Sequence, residues 1–168
     1  MTLQEAYEYG QEQLKKAQIP EAALDAWYLL EHVTGIGRGE YFLNMNREIS
    51  PKQVETYRTC ISQRASHIPL QHITGVQEFM GLTFAVNEHV LVPRQDTEVL
   101  VESVLDVLQP GMSILDMCTG SGCILISLLK LSQGVCGIGV DISEEALKVA
   151  TKNAQSIGVE ATFLQSDL

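Results

Sequence analysis

Ile114-Leu115-Asp116-Met117-Cys118-Thr119-Gly120-Ser121-Gly122 is the stretch on which the reading of this 168-residue chain turns. Ile114 and Leu115 close an apolar run. Asp116 follows, then a turn of small residues, then a second apolar run over residues 123–131. That order predicts a strand, a tight loop and a helix. Gly120 and Gly122 let the backbone approach a ligand with no Cβ in the way. The helix start behind them offers unpaired N–H groups and a partial positive charge. The loop therefore reads as a cradle for part of a nucleoside-containing ligand, against the plainer reading of a βα turn with packing glycines. It is not a dinucleotide fingerprint, because Leu125 stands where Gly-x-Gly-x-x-Gly needs its third glycine. No Gly-Lys-Ser/Thr follows to make it a phosphate-binding loop.

Working outward, residues 134–140 read as a second strand with Asp141 at its end. In a doubly wound sheet an acid at this position hydrogen-bonds ribose hydroxyls. The alternative is a turn acid or a helix cap. Ser143-Glu144-Glu145 caps the next helix, with its acids in the favourable first turn. That helix runs to about Ile157 and stops at Gly158. A third strand spans Thr162 to Leu164, and Asp167 follows at the same carboxyl edge. There it is placed either to accept from an adenine amino group or to be a solvated loop acid. The alternation predicts a parallel sheet with helices on both faces.

Upstream, Thr2-x-x-Glu5 is a capping box opening a helix to about Ala17. A second helix, residues 22–33, turns Ala23, Ala26, Trp27, Leu30 and Val33 to one face and ends at Gly35 and Gly37. A short helix near Glu40 to Met45 and another from Ser50-Pro51 to about Ser66 complete a small bundle. This bundle is either a plain scaffold or a substrate-recognition cap. Residues 68–92 change character: Ile73-Thr74-Gly75-Val76, Glu78-Phe79 and Leu82 to Val86 are short β-type runs that predict a hairpin around Gly81. A helix over 98–108 follows, with Val99, Leu100, Val104, Val107 and Leu108 inward.

The chain has room for one ordinary domain or two small ones, and 45% hydrophobic residues suffice for a core. With 21 acids against 11 bases the net charge is −10, which argues against direct nucleic-acid binding. The amino terminus lacks the features of a signal peptide, and no run has membrane-span length. The four cysteines have no Cys-x-x-Cys spacing and read as reduced thiols of a cytoplasmic protein. The histidines show no metal-ligand spacing, so no metal is expected.

The glycine loop is similar to the Asp-x-Gly-x-Gly-x-Gly loop of class I S-adenosylmethionine (SAM) methyltransferases. Taken with Pro69-Leu70-Gln71-His72-Ile73-Thr74-Gly75, Glu78-Phe79-Met80-Gly81-Leu82, Val92-Pro93-Arg94-Gln95-Asp96-Thr97-Glu98, Val140-Asp141-Ile142-Ser143 and Gln165-Ser166-Asp167-Leu168, the whole chain resembles the HemK/PrmC family. These are methyltransferases that modify the glutamine amide nitrogen in the Gly-Gly-Gln loop of peptide chain release factors. The resemblance implies a helical substrate-recognition domain (1–67), a β-hairpin linker (68–92) and the first half of a class I, Rossmann-like SAM-binding sheet (93–168). It implies that Asp116 and residues Cys118, Thr119, Gly120, Ser121 and Gly122 wrap SAM, and that Asp141 holds its ribose. Asp167 and Leu168 would border the adenine, while Phe79 and Arg94 would help wall the pocket.

Two residues depart from the family pattern: Cys118 replaces the usual glycine, and Gln95 a usual proline. A side chain at 118 is expected to require negative φ. The family's glutamine-binding Asn-Pro-Pro-Tyr motif would lie beyond Leu168, so no catalytic residue is assigned. The sequence is expected to be a piece of a longer enzyme, inactive alone, with part of its sheet uncovered. Two rival readings are a class I methyltransferase acting on base amines of nucleic acid and a non-catalytic nucleotide-binding module. A nicotinamide-dependent dehydrogenase half is disfavoured by the missing third glycine.

Overall fold

The computed structural model describes residues 1–167. The chain divides into two compact units after Thr74.

The first unit holds helices α1 (Leu3–Lys16), α2 (Ala22–Thr34), α3 (Arg38–Leu43), α4 (Pro51–Ala65) and α5 (Leu70–Thr74). Local chemistry sets their ends. Thr2 and Glu5 form the capping box of α1, Ser50 and Gln53 that of α4, and Gly35 closes α2 at φ 72°. Leu3, Ala6 and Leu14 of α1, Ala26, Leu29 and Leu30 of α2, and Tyr57 and Ile61 of α4 share one buried core. Tyr57 donates to the Ala26 carbonyl at 3.1 Å, satisfying its buried hydroxyl. Ala23, expected inward, is exposed, and Asp25 is buried in this helix instead. Its carboxylate meets Arg64 Nε at 2.7 Å, and pairing is what lets an acid sit there. Residues 70–74 are helical rather than β-type. Pro69's carbonyl accepts from His72 and Ile73, and Ile73 packs on the helical core.

The second unit begins with the hairpin β1 (Val76–Phe79) and β2 (Leu82–Ala85). Its two-residue turn has Met80 at φ 51° and Gly81 at φ 70°, the paired positive values whose twist suits a hairpin. A 3-10 turn (Gln95–Thr97) leads into α6 (Glu98–Leu105). Then come β3 (Ser113–Met117), α7 (Cys123–Leu131), β4 (Cys136–Asp141), α8 (Glu144–Ile157) and β5 (Thr162–Gln165). The sheet is parallel in the order β3-β4-β5.

Helix α6 stops three residues earlier than expected, and its face is rotated. Val101 is fully buried, whereas Val99, Leu100 and Val107 are exposed. Its sequence is apolar nearly all round, so packing against Phe79 and Phe84 rather than periodicity selects the inward residue.

Among the described residues the helices cover one face of the sheet, not the two expected. Val101, Ile126, Leu128 and Ala154 join Ile114 and Phe163 in a single core. On the other face Leu115, Met117, Ile138 and Leu164 are exposed. The strands advance in one direction, and right-handed crossovers place both connecting helices on the same side until that direction reverses.

Candidate functional site

The site lies at the carboxyl end of the parallel strands. Asp116 is paired with Gly139 in the sheet register, and Asp141 ends the neighbouring strand. The loop between β3 and α7 is held from several sides. Thr119 Oγ1 donates to Asp116 Oδ2 at 2.6 Å, and the Thr119 N–H reaches the Val140 carbonyl at 2.9 Å. The Gly120 N–H donates to Asp141 Oδ2 at 2.9 Å. Asp141 Oδ1 accepts from the Ser143 N–H at 2.9 Å, so this one carboxylate joins the glycine loop to the start of α8. Ser143 Oγ in turn accepts from Ala146.

Burial pushes the Asp116 carboxyl above the usual carboxylate range. Hydrogen bonds from Thr119 and the Leu125 amide oppose that shift, and nearby Asp141 adds to it. Burial likewise raises the Cys123 thiol.

The glycines have distinct steric roles. Gly122, at φ 78°, begins α7, and a Cβ there would lie 2.8 Å from Ile126 Cδ1. At Gly139 a Cβ would lie 2.8 Å from the Phe163 ring and 2.9 Å from Thr119 Oγ1. At Gly120, by contrast, a Cβ would meet only the Cys118 carbonyl oxygen, at an unstrained 4.0 Å. Thr119 and Ser121 are buried beneath the loop, while Cys118 is exposed.

Cys118 corrects the sequence-based expectation of negative φ: its φ is 60°. The thiol points to solvent and the backbone keeps the left-handed turn that a glycine would take, at a cost of about 1–2 kcal/mol.

A small cavity of about 130 Å³ opens beside this turn, lined by Cys118, Val140, Asp141, Ile142, Ser166 and Asp167. The Ser166 N–H donates to the Asp141 carbonyl, which brings Asp167 to the same edge. Leu168 lies outside the described residues. Phe79 does not line an opening: its ring is 1% exposed and stacks edge-on against Phe84 at 6.1 Å. Arg94 is exposed and its guanidinium pairs with Asp96 at 2.8 Å.

Asn153 was not singled out by the sequence reading. It is 1% exposed and connects α8 to both β2 and the loop, accepting from the Ala85 N–H at 2.7 Å and donating to the Ala85 and Ser121 carbonyls at 3.0 and 2.9 Å. The available signal was a lone amide within the apolar stripe Ala146, Ala150, Asn153, Ala154.

In the helical unit a larger cleft of about 420 Å³ has Tyr7, Trp27 and Tyr41 among its walls, with the Arg38 guanidinium 5.5 Å from the Trp27 ring centre. Among the described residues no group of His, Cys, Asp and Glu is arranged to hold a metal, and no helix is long and apolar enough to cross a membrane.

A strand, glycine loop and helix followed by an acid-ended parallel strand make this unit the first half of a class I methyltransferase fold. Residues 108–168 match the methyltransferase domain family, and residues 5–75 match the PrmC N-terminal domain family. Along nearly its whole length the chain is similar to members of the HemK/PrmC family. It is 44% identical over 166 residues to a release factor glutamine methyltransferase of Leptospira interrogans, covering 95% of this chain and 58% of that protein. It is 39% identical over 171 residues to the protein of that name from Moorella thermoacetica, covering 99% and 60%. The chain thus spans about three fifths of the length of these curated relatives. Among solved structures it is similar to a SAM-dependent methyltransferase from Aquifex aeolicus, at 30% identity and a TM-score of 0.36 over 40% of this chain and 38% of that one.

Proposed function

We propose that this chain supplies the SAM-binding half and the substrate-recognition domain of an enzyme that methylates the glutamine amide nitrogen of a release factor's Gly-Gly-Gln loop. The observation that carries the reading is the placement of Asp116 and Asp141 at the ends of adjacent parallel strands, with the glycine loop between them. The fit to SAM rests on the loose surroundings of Gly120, where a Cβ would meet only the Cys118 carbonyl at 4.0 Å, and on the cavity beside Asp141 and Asp167. In this reading Asp141 accepts from the ribose hydroxyls with the lone pairs left over from Gly120 and Ser143. Asp167 borders the adenine, and the loop from Cys118 to Gly122 lies along the methionine portion. Asp116 orients the loop through Thr119 and the Leu125 amide rather than acting as a base. The sulfonium supplies an already activated methyl group, so the protein's part is alignment and exclusion of water. Two carboxylates beside the loop favour a cationic ligand electrostatically.

Residues 1–67 recognise the protein substrate in this account, and the aromatic cleft of Tyr7, Trp27 and Tyr41 is a suitable surface. Residues 93–168 hold the cofactor. In this account the glutamine itself is bound by the family's Asn-Pro-Pro-Tyr segment. The family relationship supports a release factor rather than nucleic acid as the substrate, and so does the net charge of −10. The test is transfer of labelled methyl from SAM by a protein that joins this chain to the remaining portion found in its relatives. Release factor should be labelled and its Gly-Gly-Ala variant should not. Labelling of DNA or RNA in its place would contradict the reading.

A further inference from the structure

Asn153 makes contacts that the proposed function does not call for. Its side chain is buried, and a buried amide is costly unless its hydrogen-bonding groups are used. Here Oδ1 accepts from the Ala85 N–H, while Nδ2 donates to the Ala85 and Ser121 carbonyls. Toward β2 the amide behaves as a one-residue strand partner, taking both polar groups of Ala85 on the side away from β1. Toward the loop it holds the carbonyl between Gly120 and Gly122. Two segments 36 positions apart in sequence (Ala85 and Ser121) thereby share one side chain.

We infer that Asn153 is a positioning residue of the ligand loop: its amide registers Ser121 on strand β2, so that hairpin and loop open and close together. Gly120 and Gly122 flank the carbonyl it holds. Their N–H groups are spent on Asp141 Oδ2 and the Thr119 carbonyl. Releasing Ser121 frees the turn that both of those bonds require.

The test is amide hydrogen exchange by NMR on the 168-residue chain without ligand. Exchange at Gly120 and Gly122 is expressed relative to Leu128, which reports opening of the core. Asn153→Asp keeps the acceptor for Ala85 and loses both donors. Ala85→Pro removes the N–H from the opposite partner. Each should raise the Gly120 and Gly122 ratios about tenfold, the scale of one lost buried hydrogen bond. Val101→Ala, a core change on α6, should speed all three amides evenly. Ratios that stay at the wild-type value in both Asn153→Asp and Ala85→Pro would overturn the inference, as would ratios that rise equally in Val101→Ala. A second arm titrates S-adenosylhomocysteine, whose affinity should fall about tenfold in Asn153→Asp; an undiminished affinity would count against a positioning role. This arm rests on the proposed cofactor. Failure of the wild-type chain to bind S-adenosylhomocysteine would count against that proposal, whereas the exchange result stands on its own.

Discussion

Asp141 Oδ2 accepts the Gly120 N–H across 2.9 Å, so the acid that ends β4 fastens the glycine loop that follows β3. The same carboxylate caps the approach to α8 through Ser143. An acid in this position therefore has a structural task before any ligand arrives, and the same carboxylate retains acceptor capacity for hydroxyl groups.

Replacing Asp141 with Ala leaves two backbone N–H groups without their acceptor. The expected loss is about 1–3 kcal/mol in stability, read from urea denaturation, together with loss of measurable SAM binding. Unchanged stability would show that the loop does not depend on this carboxylate.

Cys118 holds φ 60° with a Cβ in place. Cys118→Gly removes about 1–2 kcal/mol of strain and adds about 0.5–1 kcal/mol of chain entropy cost, for a net gain of about 0.5–1 kcal/mol. A rise of about 2–3 °C in melting temperature is expected for a chain of this size. A fall would mean that the thiol makes a stabilising contact.

Asp116 is held above the usual carboxylate range, chiefly by burial. The folded chain then binds a proton at pH values where the unfolded chain has lost it. Stability falls as pH rises from the ordinary carboxylate value near ~4 through the raised one. Asp116→Asn keeps an acceptor for Thr119 and abolishes this contribution. Denaturation midpoints followed upward from pH 4 should decline less in the variant than in the wild type.

Tyr57 is kept neutral by burial, with its ionisation pushed well above that of an ordinary tyrosine. Above pH ~10 the unfolded chain releases this proton and the folded chain does not, so stability declines as pH rises further. Tyr57→Phe removes that decline at a cost of about 1 kcal/mol for the lost bond to the Ala26 carbonyl. Unfolding of the helical unit across pH 9 to 11 checks it, and an identical pH slope in the variant would contradict it.

The strand, glycine turn and acid-ended strand around the candidate site were legible because turn chemistry is local. Asp116, the glycines and the acid after the second strand sit at fixed distances from apolar runs whose period is unambiguous. Cys118 was misread because side-chain identity does not fix φ where a loop is tied down on both sides, here by Thr119 on Val140 and Gly120 on Asp141. Phe79 was read as a pocket wall, but its burial depends on Phe84 and Val101, partners that no local pattern joins. Helix α6 was misoriented for a similar reason: Val99, Leu100 and Val101 are equally apolar, and only tertiary packing chooses among them. Asn153 went unnoticed because its partners, Ala85 and Ser121, are backbone groups and leave no trace in composition.

The most direct test of the account is titration of the 168-residue chain with SAM, followed by the Gly120 amide resonance in NMR. Saturable binding with a large shift at Gly120 that disappears in Asp141→Ala is predicted. No binding of SAM, or binding that leaves Gly120 unmoved and survives Asp141→Ala, would contradict the claim that the acid and the glycine turn together form the cofactor cradle.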